Sequence, residues 1–156
     1  MIVTPGIMSS LSDEWATPQD LFDKLNSEFN FNLDPCADDK NHKCPRYYTI
    51  HDDGLTKEWG GDDRVFMNPP YGVNISKWVR KARISSEMNG CLVVGLLPAR
   101  TDTKWWLDCM RATEIRFITG RVKFGDSKTT APFPSVIVIW GTPKQPIIKN
   151  IDLRSK

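Results

Sequence analysis

Several features of membrane, secreted and metal-binding proteins are absent from this sequence of 156 residues. No apolar run reaches the length of about 20 residues that a membrane-spanning helix needs. Residues 1–10 have neither the basic start nor the apolar stretch of a signal peptide. The four cysteines follow no disulfide framework, and Cys36, His42 and Cys44 match no usual zinc spacing. We therefore expect a cytoplasmic protein with free thiols, no metal and no membrane contact.

The net charge is also small, at +2, but the charges are unevenly distributed. Residues 34–63 contain eight acids and four bases, whereas residues 77–128 contain eleven bases and five acids. An acidic stretch beside a basic one suits a site that holds a cation on one side and a polyanion on the other. Two ordinary solvated faces would give the same pattern, so charge alone does not decide between the two.

The pattern of apolar residues predicts helices that alternate with strands. One helix is predicted to begin with Thr17 as N-cap and Pro18 as first helical residue, a second covers residues 74–90 with Gly90 as its stop, and a third covers 103–110. Strand patterns occupy residues 29–37, 47–55, 63–71, 91–99, 114–120 and 135–140. This order predicts an α/β fold with a mostly parallel sheet, an antiparallel terminal strand and helices on both faces. We expect a flexible arm at residues 1–12, one domain at 13–145 and a tail at 146–156.

An asparagine and two prolines follow the third predicted strand, in the stretch Asn68-Pro69-Pro70-Tyr71. Asn-Pro and Pro-Pro are common in turns, so in isolation this stretch could simply end a strand. Acids also follow the first two predicted strands, at Asp34 and near Asp53. Because open α/β sheets bind ligands at the carboxyl ends of their strands, the sequence predicts a ligand site at this edge.

The tetrapeptide resembles the [DNS]-P-P-[YFW] motif of S-adenosylmethionine-dependent amino methyltransferases. Six more motifs surround it in order: W-A-T-P-x-x-L-F from Trp15, L-D-P-C-A from Leu33, D-G-L from Asp53, T-D-T-K-W-W from Thr101, G-R-V-K-F from Gly120 and A-P-F-P-S from Ala131. Together they resemble the phage-type Dam family of small DNA N6-adenine methyltransferases, over about residues 15–140. The resemblance implies a Rossmann-like fold in a bacterial or phage-infected cell. It also implies methyl transfer from S-adenosylmethionine to the N6 amine of adenine in double-stranded DNA, with S-adenosylhomocysteine as product.

The chemistry of that reaction explains why it would need an asparagine, two prolines and an aromatic residue at these positions. The amine of adenine is a poor nucleophile because its lone pair is delocalised into the ring, and two acceptors, one for each N–H, would favour a localised lone pair. The side-chain carbonyl of Asn68 and the backbone carbonyl of Pro69 can be those acceptors, while Pro70 stiffens the segment. Tyr71 offers a face for a flipped base. On this reasoning Asn68→Asp should be milder than Asn68→Ala, since a carboxylate oxygen also accepts.

The resemblance further implies which residues bind the cofactor and the DNA. Asp34 is expected near the methionine part of the cofactor, and Asp53 is expected to accept from its adenine amine. The full cofactor set is Trp15, Thr17, Pro18, Asp34, Pro35, Cys36, Ala37, Asp53, Gly54 and Leu55. The DNA-binding set is Lys77, Arg100, Arg121, Lys123 and Lys128, although Arg121 and Lys123 fit a solvated hairpin equally well.

The sequence departs from the broader superfamily in two places. No G-x-G loop follows the first predicted strand, and residues 38–50 are too few for a helix and a strand, so no acid is assigned to the cofactor's ribose. Three alternatives stay open. Methyltransferases of adenine in RNA and of glutamine in proteins share the tetrapeptide, and a catalytically silent DNA-binding protein could keep the same fold.

Overall fold

The computed structural model describes residues 15–125, 129–142 and 146–152. In these residues a five-stranded sheet has the spatial order β1-β2-β4-β3-β5. In chain order the elements are α1 (Gln19–Phe29), a 3₁₀ turn (Gly54–Thr56), β1 (Arg64–Met67), α2 (Ile75–Asn89), β2 (Leu92–Pro98), α3 (Trp106–Cys109), β3 (Glu114–Thr119), β4 (Ser135–Trp140) and β5 (Ile147–Asp152). The predicted α/β class is therefore confirmed as a mixed sheet with helices.

The arrangement of the sheet differs from the prediction. β1 and β2 pair in parallel, as do β3 and β5, but β4 is antiparallel to both of its neighbours. The predicted antiparallel terminal strand is thus wrong in its position, because β4 lies inside the sheet. All six residues of β4 are buried, as expected for a strand covered on both faces. The segment predicted as a tail from residue 146 contains β5, which forms the edge.

The first two predicted strands are reduced to single bridges beside β1. Leu33 bridges Val65 in parallel, and Asp34 bridges Tyr47 in parallel. Pairing stops at Asp34 because Pro35 lacks an N–H and Asp34 Oδ1 accepts from the Cys36 N–H, which turns the chain. The carboxyl ends of this segment and of β1 nevertheless lie at the same edge of the sheet.

Two of the three predicted helices differ at their ends. The N-cap of α1 is Pro18 rather than Thr17, and no side chain caps the helix. α2 forms as predicted and ends at Gly90, whose φ of 74° suits the left-handed region that glycine adopts easily. α3 is one short turn, because residues 103–105 form turns before it.

The core consists of two apolar layers, one on each face of the sheet. α2 and α3 cover one face, where Trp78, Val79 and Trp106 pack against β1, β2 and β4. α1 covers the other face, where Leu21, Phe22 and Leu25 pack against the alternate residues of the same strands; Trp15 and Tyr71 border this second layer. Among the described residues no helix is long and apolar enough to cross a membrane.

Candidate active site

Asn68 follows β1 directly and projects from the edge where β1 and the parallel segment at Leu33 end. Its side-chain nitrogen donates one hydrogen bond to the Trp15 carbonyl, at 2.8 Å, and another to Thr17 Oγ1, at 3.0 Å. The Trp15 carbonyl can only accept, so it requires the NH₂ group, not the oxygen, on that side. The amide orientation of Asn68 is therefore fixed by a segment 51 to 53 positions away in sequence.

The other half of the same amide is unusual. Asn68 Oδ1 is buried and has no hydrogen-bond partner among the described residues. Leaving a buried acceptor unsatisfied costs about 1–3 kcal/mol, and most buried polar atoms in proteins avoid that cost. Asn68 thus presents a preoriented acceptor to whatever enters the site.

Four aromatic rings contact one another around Trp15, whose carbonyl holds Asn68, and we refer to Trp15, Tyr71, Phe124 and Phe133 as the aromatic cluster. Trp15 stacks on Phe133 with centroids 5.6 Å apart, and Tyr71 meets Phe133 edge-on at 5.5 Å. The Tyr71 hydroxyl donates to the Leu96 carbonyl at 3.2 Å, and its burial raises the pKa of that hydroxyl. The Tyr71 hydroxyl is therefore neutral and held by this hydrogen bond, while Tyr71 as a whole is partly exposed.

The segment that carries Phe124 is tied to the chain beside Trp15. The Gly125 N–H donates to the Ala16 carbonyl at 2.8 Å. Val122 and Phe124 are buried, whereas Arg121 and Lys123 between them are exposed. Two of the predicted DNA contacts therefore point to solvent from a segment that packs against the aromatic cluster.

Asp34 is buried, with 5% of its surface exposed, at the turn that follows Leu33. One of its carboxylate oxygens accepts from the Cys36 N–H at 3.2 Å, and the other accepts from the Lys43 N–H at 2.9 Å. Burial raises the pKa of Asp34 to about 6, although both hydrogen bonds and the charges of His42 and Lys43 act in the opposite direction. Asp34 thus organises the loop that follows it, and each oxygen keeps a further acceptor position.

The segment of Asp53 meets the segment of Asp34 at close range. Asp53 is exposed, has a left-handed φ of 55°, and its side chain accepts from the Leu55 N–H at 3.3 Å. A Cβ on Gly54 would lie only 2.5 Å from the Pro35 carbonyl oxygen, so glycine is needed for this approach. The structure therefore brings together the two segments predicted to bind a cofactor, Pro35 on one side and Gly54 on the other.

The remaining predicted cofactor residues support these segments. Leu55 and Cys36 pack against the core beneath α2, and burial raises the pKa of the Cys36 thiol. The Ala37 N–H donates to the Tyr48 carbonyl at 3.0 Å. His42 stacks on Tyr47, with centroids 3.9 Å apart. All four cysteines are free, and the described residues include no group of three His, Cys, Asp or Glu side chains able to hold a metal ion.

Residues 6–155 match the family described as DNA N-6-adenine-methyltransferase (Dam). The chain belongs to this family. The DNA N-6-adenine-methyltransferase of Haemophilus phage HP1 is 36% identical over 133 residues, which cover 83% of this chain and 76% of the relative. The DNA N-6-adenine-methyltransferase of Escherichia phage T1 is 31% identical over 111 residues, which cover 70% of this chain and 46% of the relative.

One further relative is similar over a smaller part of this chain, and one solved structure is similar at low sequence identity. The putative methyltransferase YfdM of Escherichia coli is 36% identical over 70 residues, which cover 41% of this chain and 77% of that protein. The solved Type IIL restriction-modification enzyme MmeI, in complex with DNA, aligns with a TM-score of 0.47 at 11% identity. The alignment covers 85% of this chain and 23% of that one.

Four of the five predicted DNA contacts of this Dam family member lie near the aromatic cluster or on the helix that follows the tetrapeptide. The Arg100 guanidinium lies over the Phe133 ring, 5.7 Å from its centroid. Lys77 is exposed in the first turn of α2, close in sequence to Tyr71. Lys128 lies outside the described residues.

Three of the eleven basic residues in the range 77–128 form ion pairs with acidic side chains. Arg83 pairs with Asp108 and Glu87, and Arg111 also pairs with Glu87. Arg116 binds both carboxylate oxygens of Glu28. These arginines stabilise the helices and the sheet, so the surface that can meet a polyanion is smaller than the sequence suggests.

Sequence reasoning missed two kinds of site residue. Phe124 and Phe133 belong to the motifs G-R-V-K-F and A-P-F-P-S, which by themselves assign them no role, and both contact Trp15. Ser135, the last residue of A-P-F-P-S, is buried and its Oγ also has no partner among the described residues. It pairs with Pro98 at the carboxyl end of β2, the same edge of the sheet as Asn68. Membership of these motifs was the one signal in the sequence that could have identified them.

Proposed function

We propose that this protein transfers a methyl group from S-adenosylmethionine to the N6 amine of adenine in double-stranded DNA. The observation that carries the proposal is the buried Asn68 Oδ1, which has no partner in the described residues while both hydrogens of its amide are held by Trp15 and Thr17. Membership of the DNA N-6-adenine-methyltransferase family supports the same reaction.

The proposed role of Asn68 is to accept one N–H of the target amine through Oδ1. The Pro69 carbonyl accepts the other N–H, and among the described residues no backbone N–H donates to it. Two acceptors on one amine favour a pyramidal nitrogen, whose lone pair is then free to attack. Since the acceptors are preoriented, most of the acceleration comes from positioning and electrostatic fit rather than from a strong base.

The proposed role of the aromatic cluster is to hold the flipped base. A base inside a duplex cannot reach Asn68, and its extrusion costs a few kcal/mol. Stacking on an aromatic side chain is worth about 1–3 kcal/mol per base, and Tyr71 is the ring nearest to Asn68 in sequence. Because its hydroxyl is anchored on Leu96, the ring is held in one orientation before the base arrives.

S-adenosylmethionine supplies an electrophilic methyl carbon on its sulfonium sulfur, and S-adenosylhomocysteine is the product. The residues present fit such a ligand at the edge where Pro35 and Gly54 meet. There Asp53 offers an exposed carboxylate to an amine, and Asp34 lies buried beside the same loop. The sheet with helices on both faces is compatible with the Rossmann-like fold that we propose for this reaction.

The proposed DNA-binding surface consists of Lys77, Arg100, Arg121 and Lys123, with Lys128 as a further candidate. The first four are exposed. Arginine and lysine contacts to phosphates give affinity without reading sequence, so the loops around the site must supply any base contacts.

The test is single-turnover methyl transfer to an adenine-containing duplex by Asn68→Ala, with donor affinity followed in parallel. Loss of one preoriented contact to the reacting group should lower the rate by about 10²–10³-fold, while donor affinity stays near that of the wild-type protein. Asn150→Ala is the matched control, since its amide also donates to a backbone carbonyl but lies on β5 at the far edge of the sheet. A fully active Asn68→Ala enzyme would refute the mechanism.

Offering the wild-type protein labelled donor with duplex DNA, single-stranded RNA and glutamine-containing protein tests the substrate class. The proposal requires label in adenine of the duplex. Label in RNA would favour an RNA adenine methyltransferase, and label in a glutamine side chain would favour a protein glutamine methyltransferase. Binding to DNA without any methyl transfer would favour a catalytically silent DNA-binding protein.

A further inference from the structure

We propose that the Thr17 hydroxyl and the Trp15 carbonyl position the side chain of Asn68. Because both groups accept from its NH₂ group, an amide works at position 68 and an ionised carboxylate does not. This inference rests on the proposed function, because it concerns how Asn68 is held for the reaction. It assigns Thr17 a role in orienting the target-base acceptor, which differs from the cofactor contact that the sequence predicts for it.

The geometry of the amide leaves little freedom. Its nitrogen carries two hydrogens, and both are used, by Trp15 O at 2.8 Å and Thr17 Oγ1 at 3.0 Å. Thr17 is 4% exposed, so water does not readily replace its hydroxyl. A rotation of the amide by half a turn would place Oδ1 against the Trp15 carbonyl, where two acceptors would repel each other. Oδ1 is therefore kept on the side where it has no partner of its own.

The two acceptors are themselves held by the site. The Trp15 ring contacts the rings of Phe124 and Phe133, with centroids 5.2 and 5.6 Å away, and the Ala16 carbonyl accepts from the Gly125 N–H at 2.8 Å. Side chains from two motifs, G-R-V-K-F and A-P-F-P-S, and the backbone of Gly125 therefore hold residues 15–17 in place. Because Thr17 is not needed as an N-cap of α1, its hydroxyl is available for Asn68.

This arrangement has a consequence for aspartate at position 68. A carboxylate has the same shape, but one oxygen would face the Trp15 carbonyl at the distance that the amide nitrogen now occupies, 2.8 Å. Burial and this dipole both disfavour the charged form and raise its pKa. Once protonated, the group can donate to Trp15 O or to Thr17 and still offer the second oxygen to adenine. Asn68→Asp should therefore work only in its protonated form, in contrast to the mild effect that the sequence suggests.

The expected result for Asn68→Asp is a single-turnover rate that falls about tenfold for each pH unit above the pKa of the new carboxyl. The wild-type rate should not fall in this way, because Asn68 does not titrate. An Asn68→Asp enzyme that equals the wild-type rate at pH 8, with no decline as pH rises, would overturn the proposal.

Substitutions of Thr17 test the device without a new charge. Thr17→Val keeps the shape and removes one of the two acceptors, so the maximal rate should fall about five- to tenfold, the worth of one net hydrogen bond. The affinities for donor and duplex should stay within about twofold, as expected for an interaction that neither ligand makes. Thr17→Ser restores the hydroxyl and should restore the rate.

The experiment measures single-turnover rate, donor affinity by calorimetry and melting temperature for the wild-type protein, Asn68→Asp, Thr17→Val and Thr17→Ser. It adds the NMR exchange rate of the Asn68 side-chain amide protons in the free protein, which should be slow in the wild-type protein and faster in Thr17→Val. A full rate with unchanged amide exchange in Thr17→Val would overturn the proposal. Weaker donor binding in that variant, or a rate that Thr17→Ser fails to restore, would overturn it too.

Failure of the proposed function is distinguishable from failure of this inference. If the wild-type protein transfers no methyl group to adenine, the proposed function is wrong whatever the variants do. The amide exchange rates still report whether Thr17 holds Asn68, since they are measured without substrate. Should Asn68→Asp not fold, the Val and Ser variants at position 17 decide the question alone.

Discussion

An alanine at Gly54 tests whether the segments of Pro35 and Asp53 form one ligand site. The added Cβ would lie 2.5 Å from the Pro35 carbonyl oxygen, 3.3 Å from the Pro35 Cβ and 3.1 Å from Cη2 of Trp78. Contacts shorter than 3.0 Å are essentially not seen for real Cβ atoms, so the two backbones must separate by at least about 0.5 Å. Neither backbone can give way as the end of a flexible side chain does.

The cost follows from the geometry. Overpacking of a filled site typically costs about 1–3 kcal/mol, and for a domain of this size each kcal/mol lowers the melting temperature by about 2–4 °C. We therefore expect Gly54→Ala to melt about 2–12 °C below the wild-type protein. If the donor contacts both segments, it should lose at least one hydrogen bond, which corresponds to about tenfold in affinity or more.

The assay is thermal melting together with calorimetric titration of S-adenosylmethionine well below the melting temperature. Gly60→Ala is the matched control, because the nearest atom to its added Cβ is Asp63 Oδ2, 3.9 Å away. That variant should melt and bind like the wild-type protein. A Gly54→Ala protein with unchanged melting temperature would refute the close contact. A lower melting temperature with unchanged donor affinity would refute the joint site.

Three further predictions concern charge. If Lys123 contacts a phosphate, Lys123→Ala should reduce the slope of log affinity for duplex DNA against log salt concentration by about one. Lys24, which is exposed on α1, is the control, and Lys24→Ala should leave the slope unchanged. Equal slopes in both variants would contradict the contact. Because burial raises the pKa of Asp34 to about 6, the folded state holds this proton to higher pH than the unfolded chain, so the free energy of unfolding should fall as pH rises from about 4 to 6. A cationic donor near Asp34 favours the ionised form of that carboxyl, so donor affinity should rise as pH increases through about 6. Calorimetry across this range should show the rise in the control variant His42→Gln but not in Asp34→Asn. A flat profile in the wild-type protein would remove Asp34 from the donor site.

Much of the fold follows from local pattern. The strands β1 to β4 and the helix α2 form where apolar spacing and the stop at Gly90 predict them, because the periodic apolar pattern of an element is contained in its own sequence. The candidate site is also local in part, since Asn68, Pro69, Pro70 and Tyr71 occupy adjacent positions after a strand. Their chemistry is therefore readable without a structure.

The sequence by itself determined β1 to β4, α2 and the acceptor group, whereas tertiary structure decided how these elements are arranged. No local signal could place β4 between β2 and β3, because strand order depends on where the chain returns and not on the pattern of one strand. The ion pairs that occupy Arg83 and Arg116 were equally invisible, since their partners include Asp108 and Glu28 in other elements. The direction of the Asn68 amide depends on two acceptors more than 50 positions away, brought within 3.0 Å only when Trp15 packs into the aromatic cluster.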